Sequence, residues 1–266
     1  MNNTSNIYDP NTEWEKTLQT MINNFSHWYD WDPTEEQTVT FETNRKKTIK
    51  DKYEQSLALR ELEDKTRELI SPDPEIQNII KDVTKYHEGQ FRKIDQIPYI
   101  KHPIAVAKII SRNYSNKEII EAWLLHDVIE DVPNWRKIMQ KYPEEIYNLV
   151  DSVTEQDKSL SRKERKIAYI SHIDTYNYKN LAISLSDRIQ NLRDMIESLE
   201  KYWNKIWEKF NAWPEDQKRF ILSYSMKIKS QIDKIEDENN KHKLLNLYDE
   251  LSTLIWYFLE LLDKKK

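Results

Sequence analysis

The sequence predicts an all-α protein, and three observations lead to that prediction. Only one of its 266 residues, Gly89, is glycine, whereas tight hairpins and phosphate-cradling loops use glycine for backbone with positive φ. Apolar residues recur at steps of three and four along 180–200, which is the period of a helix with one buried face. Helix-start patterns occur at residues 73–75 (Asp-Pro-Glu) and, as capping boxes, at Ser115 and Ser161.

The predicted elements divide the chain into three parts. Residues 1–74 form an N-terminal extension, in which the charged stretch 46–70 is predicted to be helical. Residues 75–232 form the main helical domain. Residues 233–266 hold a C-terminal helix, whose many leucines favour packing or self-association. The terminal helices therefore offer surfaces for a homo-oligomer or a partner protein.

Composition excludes several classes of protein. The chain has no cysteine, which excludes disulfides, thiolate metal sites and a cysteine nucleophile. Its formal net charge is −5, so we do not expect it to bind duplex nucleic acid. No stretch approaches the roughly 18 apolar residues of a membrane span, and the polar N-terminus lacks a signal-peptide pattern. We therefore expect a cytoplasmic protein with no membrane association.

Charged residues follow a strongly apolar helical run in the middle of the chain. The run 122–125 leads into His126-Asp127, and Glu130-Asp131 follow one turn later. Residues three and four apart share a helix face, so these groups should lie close together. We expect helical geometry to continue to Pro133, which ends the helix. Buried charges are costly unless they are paired or hold a metal, so the pattern predicts a metal site with spare carboxylates.

Two imidazoles and two carboxylates make up the predicted ligand set. They are His102, His126, Asp127 and Asp187. Mixed nitrogen and oxygen donors suit Mn²⁺, Fe²⁺ or Zn²⁺ better than Ca²⁺. A divalent ion with such ligands acidifies water and polarises a phosphoryl oxygen. Glu130 and Asp131 would then orient that water or transfer its proton.

The same residues fall in blocks that resemble the HD-domain phosphohydrolases, specifically the alarmone (ppGpp) hydrolase module of RelA/SpoT-type proteins. The similarity is closest to the small, stand-alone alarmone hydrolases. The blocks are Arg92-Lys93, PYIKHPIAVA at 98–107, LLHDVIED at 124–131, VDSVT at 150–154, RKERK at 162–166 and LSDRIQNLRD at 185–194. A lone His-Asp pair is a weak motif, but several ordered blocks are specific. The resemblance implies an HD-domain helical bundle for 75–232.

The resemblance also implies roles for individual residues. The four predicted ligands match the family's metal ligands, usually for Mn²⁺, and Glu130 with Asp131 match its catalytic acidic pair. Arg92 and Lys93 match residues at the nucleotide pocket, and Asn191 lies in the nucleotide-contacting part of its motif. The implied reaction is hydrolysis of the 3′-pyrophosphate of guanosine tetra- or pentaphosphate, ppGpp or pppGpp, to GDP or GTP and pyrophosphate.

Departures from the family pattern leave two alternatives open. The loop 94–97 lacks the customary glycine, and segments 1–74 and 198–214 have no recognisable counterpart. One alternative is an HD phosphohydrolase that acts on another 3′-phosphorylated or signalling nucleotide. The other is a non-catalytic nucleotide-binding interaction module, which would not need the acidic pair. Turnover of a nucleotide panel separates the three readings.

Three further groups have an interpretation from sequence alone. His87 matches no ligand position, so we expect it at the surface. Arg188 is interpreted as an ion-pair brace for the acids. A basic cluster either faces phosphate or forms a solvated helix face; its members are Arg162, Lys163, Arg165 and Lys166.

Overall fold

The computed structural model of the chain confirms the all-α prediction. It describes residues 51, 53–54, 73–92, 96–155, 159–202 and 214–263. Within these ranges no β-strand is present, and an isolated antiparallel bridge joins Phe91 to Pro98. All described residues belong to one compact unit, 51–266.

Five helices occupy the first half of the described chain. They are α1 (Pro74–Tyr86), α2 (Lys101–Ser111), α3 (Lys117–Leu125), α4 (Val128–Asp131) and α5 (Trp135–Met139). The second half continues with longer elements. They are α6 (Glu144–Val153), α7 (Arg162–His172), a 3₁₀ turn (Ile173–Thr175), α8 (Tyr178–Tyr202), α9 (Pro214–Asp233) and α10 (Glu238–Asp263).

Two of the predicted helix starts are confirmed. Asp73 caps α1, because its Oδ1 accepts a hydrogen bond from the Glu75 backbone N–H at 2.8 Å and proline follows at the first helical position. At α7 both halves of the capping box form. The Ser161 hydroxyl accepts from the Glu164 N–H at 3.3 Å, and the Glu164 carboxylate accepts from the Ser161 N–H at 2.9 Å.

One local prediction was wrong. The capping box predicted at Ser115 does not form, because α3 begins at Lys117 and its N-cap, Asn116, makes no side-chain cap bond. Ser115 therefore stands one residue too early to cap the helix. The predicted C-terminal helix is present as α10, and the segment 234–237 separates it from α9.

Helix α3 is the centre of the core. It packs against α1, α2, α6 and α8, and its residues from Ile119 to Leu125 are all buried. Helix α8 carries the apolar stripe that the sequence predicts, and a polar stripe lies beside it. Its apolar stripe is buried, and α8 packs most extensively against α10. Its polar stripe contributes Asp187, Asn191 and Asp194 to the pocket described below.

The predicted N-terminal extension lies almost entirely outside the described residues. Of the predicted helix 46–70, residues 51, 53 and 54 are described and are helical. Tyr53 stacks on Tyr257 of α10 with ring centroids 3.8 Å apart. In the described part of the chain, no helix combines the length and apolarity needed to span a membrane. The domain boundaries, the cytoplasmic location and self-association through terminal helices stay predictions.

Candidate active site

The helix that carries His126 and Asp127 is interrupted at these two residues. Helix α3 ends at Leu125, and α4 begins at Val128, so the predicted continuous helix to Pro133 was wrong. Asp127 has φ −90° and ψ −4°, in the sparsely populated bridge region where active-site residues often occur. The single turn after the break is retained, since the Asp131 N–H donates to the Asp127 carbonyl at 2.9 Å. The interruption ends the buried helix at the pocket.

The predicted metal ligands lie together. His102, His126 and Asp127 each offer one ligand atom, and these atoms lie within 4.8 Å of one another. Asp187 is not in that group of three, but its Oδ1 lies 3.1 Å from His102 Nε2 and 3.6 Å from His126 Nε2. Helices α2 and α8 and the α3–α4 junction thus bring two imidazoles and two carboxylates to one point.

The His126 ring has its second nitrogen directed at this cluster. Its Nδ1 lies 2.7 Å from the Trp123 carbonyl oxygen, which can only accept, so Nδ1 carries the proton. Nε2 is buried with no hydrogen-bond partner among the described residues, and it lies 3.0 Å from Asp127 Oδ2. A backbone carbonyl that fixes the tautomer of a histidine is typical of metal ligands. The donor set therefore fits a divalent cation.

The charges of the cluster support the same conclusion. Burial alone would raise the pKa of Asp127, but the neighbouring rings of His126 and His102 outweigh it and hold this pKa below its usual range. Burial likewise opposes the charged form of His126, yet Asp127 raises the pKa of that imidazole. The buried carboxylates thus favour positive charge close to them, which a metal ion would supply.

Tyr99 is a site residue that the sequence reasoning missed. It lies in the PYIKHP block, but only the structure shows that its hydroxyl donates to Asp127 Oδ2 at 2.7 Å. Burial, followed by the charge of Asp127, raises its pKa above the usual tyrosine range. The phenol therefore keeps its proton and orients the carboxylate of Asp127, one of the predicted ligands.

We expect Tyr99→Phe to weaken metal binding by about 10- to 100-fold, the usual effect of losing a hydrogen bond to a ligand. The ring and its packing are kept, so the melting temperature of the metal-free protein should change little. Competition with a fluorescent chelator measures the affinity for Mn²⁺. Tyr147→Phe, on α6 away from the cluster, is the matched control. Equal affinity in Tyr99→Phe and wild type would show that this hydrogen bond does not support the metal site.

The predicted catalytic pair lies beside the ligands. Glu130 and Asp131 line the same cavity as Asp127. Glu130 Oε1 accepts a hydrogen bond from the Glu155 N–H at 2.7 Å. Burial, and then the charge of Asp127, raises the pKa of Glu130 to about 7. A carboxyl group that titrates near neutral pH is suited to transfer protons.

The cluster opens into a cavity of about 750 Å³ that combines acidic and basic residues. Four cations from α7 and α8 line it, and we call them the cationic wall. They are Arg162, Arg165, Lys166 and Arg188. The basic cluster of α7 therefore faces the cavity with three of its four members, while Lys163 is exposed.

Neighbouring side chains hold the cationic wall in place. Glu155 lies 3.2 Å from Arg165 Nε and 3.0 Å from Lys166 Nζ. Arg188 Cζ lies 4.8 Å from the Phe220 ring and 5.1 Å from the Tyr224 ring, within cation–π distance. Although burial opposes it, the charge of Asp187 raises the pKa of Arg188. Arg188 thus keeps its charge inside the pocket, whereas burial, and then the charge of Arg188, lowers the pKa of Lys166.

The residues assigned to the nucleotide contact one another. Arg92 donates to Asp194 Oδ2 at 2.8 Å and to Asn191 Oδ1 at 3.0 Å. Asn191 in turn donates to Asp187 Oδ1 at 2.6 Å. This chain of contacts connects the pocket rim to a predicted ligand, so Asn191 also orients Asp187. Lys93 lies outside the described residues.

The prediction for His87 was wrong. Its residue exposure is 3%, and its Nδ1 lies 2.7 Å from Gln90 Oε1. The ring centroid is 4.9 Å from that of Tyr99. His87 is the C-cap of α1 and lies four residues after the buried Val83, so it continues the buried stripe of Ile76, Ile79 and Val83. Helical periodicity was therefore the signal that could have found it.

The fold and the site define a class of protein. The HD domain family matches residues 81–213, which is half of the chain. This match begins within α1 and includes all four predicted ligands and the acidic pair. The chain belongs to the HD-domain family.

Two individual relatives have names that state an activity. Over 123 residues the chain is 32% identical to the Xenopus tropicalis protein named guanosine-3′,5′-bis(diphosphate) 3′-pyrophosphohydrolase MESH1, with 45% of this chain and 68% of that protein covered. A Haemophilus influenzae guanosine-3′,5′-bis(diphosphate) 3′-pyrophosphohydrolase is 36% identical over 116 residues, 41% of this chain and 17% of that protein. The chain thus spans about two thirds of the first relative and a small part of the second.

Solved structures agree with the sequence comparison. One solved structure aligns with a TM-score of 0.50 at 25% identity. It is described as a metazoan ortholog of SpoT that hydrolyses ppGpp and plays a role in starvation responses. The alignment covers 67% of this chain and 96% of that one. The lmo0812 protein of Listeria monocytogenes aligns with a TM-score of 0.51 at 27% identity, covering 59% and 99% respectively.

Proposed function

We propose that the protein hydrolyses the 3′-pyrophosphate of ppGpp or pppGpp, releasing GDP or GTP and pyrophosphate. The observation that carries the proposal is a single cavity of about 750 Å³ that holds both the His/Asp cluster and the cationic wall. Such a cavity is large enough for a nucleotide. The names of the relatives in Xenopus tropicalis and Haemophilus influenzae support this choice of substrate.

The charge distribution suits a nucleotide with phosphates at two positions. A 3′-diphosphate at the His/Asp cluster would leave the 5′-phosphates within the same cavity. Arg162, Arg165 and Lys166 of the cationic wall line this cavity and would neutralise the 5′-phosphates. From the family resemblance, Arg92 and Lys93 would contact the nucleotide, and Asn191 would support both Arg92 and the predicted ligand Asp187.

The proposed cofactor is Mn²⁺, held by the four predicted ligands. They are His102, His126, Asp127 and Asp187. A divalent ion bound there would supply a Lewis acid that polarises a phosphoryl oxygen and makes water a better nucleophile at neutral pH. The donor set of two imidazoles and two carboxylates is compatible with Mn²⁺ and with other transition metals.

The acidic pair supplies the proton transfer. The attacking water oxygen forms a bond to the phosphorus attached to the 3′-oxygen, and the bond between that phosphorus and the 3′-oxygen breaks. Glu130, whose pKa is raised to about 7, accepts the proton of the water. Asp131 lies at the same edge of the cavity and assists protonation of the leaving 3′-oxygen. The products are the nucleoside 5′-di- or triphosphate and pyrophosphate.

A nucleotide panel tests the proposal. We expect the full-length protein, loaded with Mn²⁺, to convert ppGpp to GDP and pyrophosphate, and EDTA to stop the reaction. The panel should include pppGpp, a nucleoside 3′,5′-bisphosphate, and GTP as a substrate without a 3′-phosphate. Ion-exchange chromatography identifies the products. If ppGpp stays intact while another 3′-phosphorylated nucleotide is cleaved, the substrate assignment fails and the chemistry stands. Tight binding without any cleavage would favour an interaction module.

A further inference from the structure

We propose that His87 is a positioning residue that aligns both halves of the active site through two neighbours. Through Gln90 it positions the segment that carries the acidic pair. Through Tyr99 it supports the orientation of the metal ligand Asp127. The effect on catalysis rests on the proposed function, but the geometry of this arrangement, which we call the His87 bracket, can be tested without it.

The first arm of the bracket is a directional hydrogen-bond relay. Gln90 Nε2 donates to the Asp131 carbonyl at 2.8 Å, and Gln90 Oε1 lies 2.7 Å from His87 Nδ1. A carbonyl oxygen can only accept, so the amide nitrogen of Gln90 must face Asp131 and its oxygen must face the ring. His87 Nδ1 therefore carries the proton. The imidazole thus selects the one amide orientation that holds Asp131.

The second arm is a ring contact. The His87 ring lies at 30° to the Tyr99 ring, with centroids 4.9 Å apart. Tyr99 also receives support from the main chain, since its N–H donates to the Gln90 carbonyl at 2.9 Å. Its hydroxyl then donates to Asp127 Oδ2 at 2.7 Å. A shift of the His87 ring would therefore be transmitted to the hydroxyl that orients the ligand.

The backbone turn between α1 and Gln90 brings His87 and Gln90 into contact. The chain's one glycine, Gly89, has φ +78° in the turn after α1, a conformation that other residues adopt only with strain. The Gln90 N–H donates to the His87 carbonyl at 3.1 Å across this turn. The turn places both side chains on the side of the active site.

A histidine at position 87 has a cost that an apolar ring would not have. The His87 Nε2 atom is buried and has no hydrogen-bond partner among the described residues. A buried polar atom without a partner costs stability and calls for an explanation. A purely structural position would be served by an apolar ring, whereas the relay needs a ring with a donor at the Nδ1 position.

Two substitutions at His87 separate the arms. His87→Phe keeps a ring against Tyr99 but removes the donor to Gln90. His87→Asn places an amide N–H near the former Nδ1 but removes most of the ring. We expect His87→Phe to lower kcat by about 10- to 100-fold, the scale of lost orienting contacts, with KM within about twofold. We expect His87→Asn to keep kcat near wild type and to bind Mn²⁺ several-fold more weakly.

A third substitution tests the relay at Gln90. Gln90→Glu can still accept from His87 but cannot donate to the Asp131 carbonyl. We expect it to reproduce the fall in kcat of His87→Phe. Exposed residues of the same type are the controls, namely His242→Phe on α10 and Gln140→Glu beyond α5. Equal loss of kcat in His87→Asn and His87→Phe would refute a specific role of the donor.

Hydrogen exchange provides a readout that does not depend on the substrate. In the metal-free protein, Gln90→Glu and His87→Phe should increase amide exchange across 127–132, whereas His87→Asn should not. Unchanged exchange in the first two variants overturns the bracket, whatever the enzyme hydrolyses. If exchange increases as expected but wild type leaves ppGpp intact, the bracket stands and the proposed function fails. Gln90 is only half-buried, so Gln90→Glu should fold even if His87→Phe does not.

Discussion

Replacing His126 with alanine should release the metal ion and lower turnover by at least about 10³-fold. A bound cation contributes several kcal/mol of transition-state stabilisation, and each 1.36 kcal/mol is a factor of ten in rate. His126 Nε2 is buried against Asp127 at 3.0 Å. Without the imidazole, two carboxylates face a single remaining ring. We therefore expect the loss of His126 to be more damaging than the loss of any residue that only contacts the nucleotide.

Metal content and activity should be measured on the same preparation. We expect His126→Ala to lack Mn²⁺ after gel filtration and His242→Ala, an exposed histidine of α10, to retain it. Asp187→Asn extends the test to the predicted ligand that is not in the group of His102, His126 and Asp127. If Asp187→Asn retains the metal with wild-type affinity, the ion has three protein ligands. Retention of metal and full activity by His126→Ala would refute the assigned centre.

The parts of the fold that follow local rules could be predicted from the sequence. The capping box at Ser161 depends on residues three apart, and the stripes of α8 depend on helical periodicity, so both can be read without the tertiary structure. The four residues predicted as metal ligands were chosen because histidine and aspartate in several ordered motif blocks are specific. The structure brings them together from three separate parts of the chain.

The supporting residues could not be predicted, because their partners are distant in sequence. Tyr99 donates to Asp127, and the Glu155 N–H donates to Glu130, yet no periodicity links either pair. The interruption after Leu125 was missed for a related reason. The spacing of apolar and charged residues in 122–131 fits one helix, whereas α3 ends at Leu125 and α4 begins at Val128. His87 was misplaced because it was judged only as a possible ligand, although it lies four residues after the buried Val83 on the same face of α1.

Glu130→Gln should retain the metal ion and lower kcat by about 10²-fold or more, the usual contribution of a general base. The substitution is nearly isosteric, and glutamine keeps an oxygen that can accept the Glu155 N–H bonded to Glu130 at 2.7 Å. The local structure should therefore survive while the group can no longer take a proton. Glu144→Gln, an exposed residue on α6, is the control. Full activity in both Glu130→Gln and Asp131→Asn would remove the acidic pair from the mechanism.

The pH dependence of kcat distinguishes a proton-transfer role from a structural one. Burial is the first cause that raises the pKa of Glu130 to about 7, and the charge of Asp127 is the second. A cation at the cluster would offset the charge of Asp127 but not the burial, so the pKa should lie at or below this value. The base works in its ionised form, which is lost as the pH falls through the pKa. We therefore expect wild-type kcat to decline on the acidic side of this value and the residual kcat of Glu130→Gln to stay level over the same interval. Parallel profiles for the two proteins would assign the acidic limb to another group and leave Glu130 without a role in proton transfer.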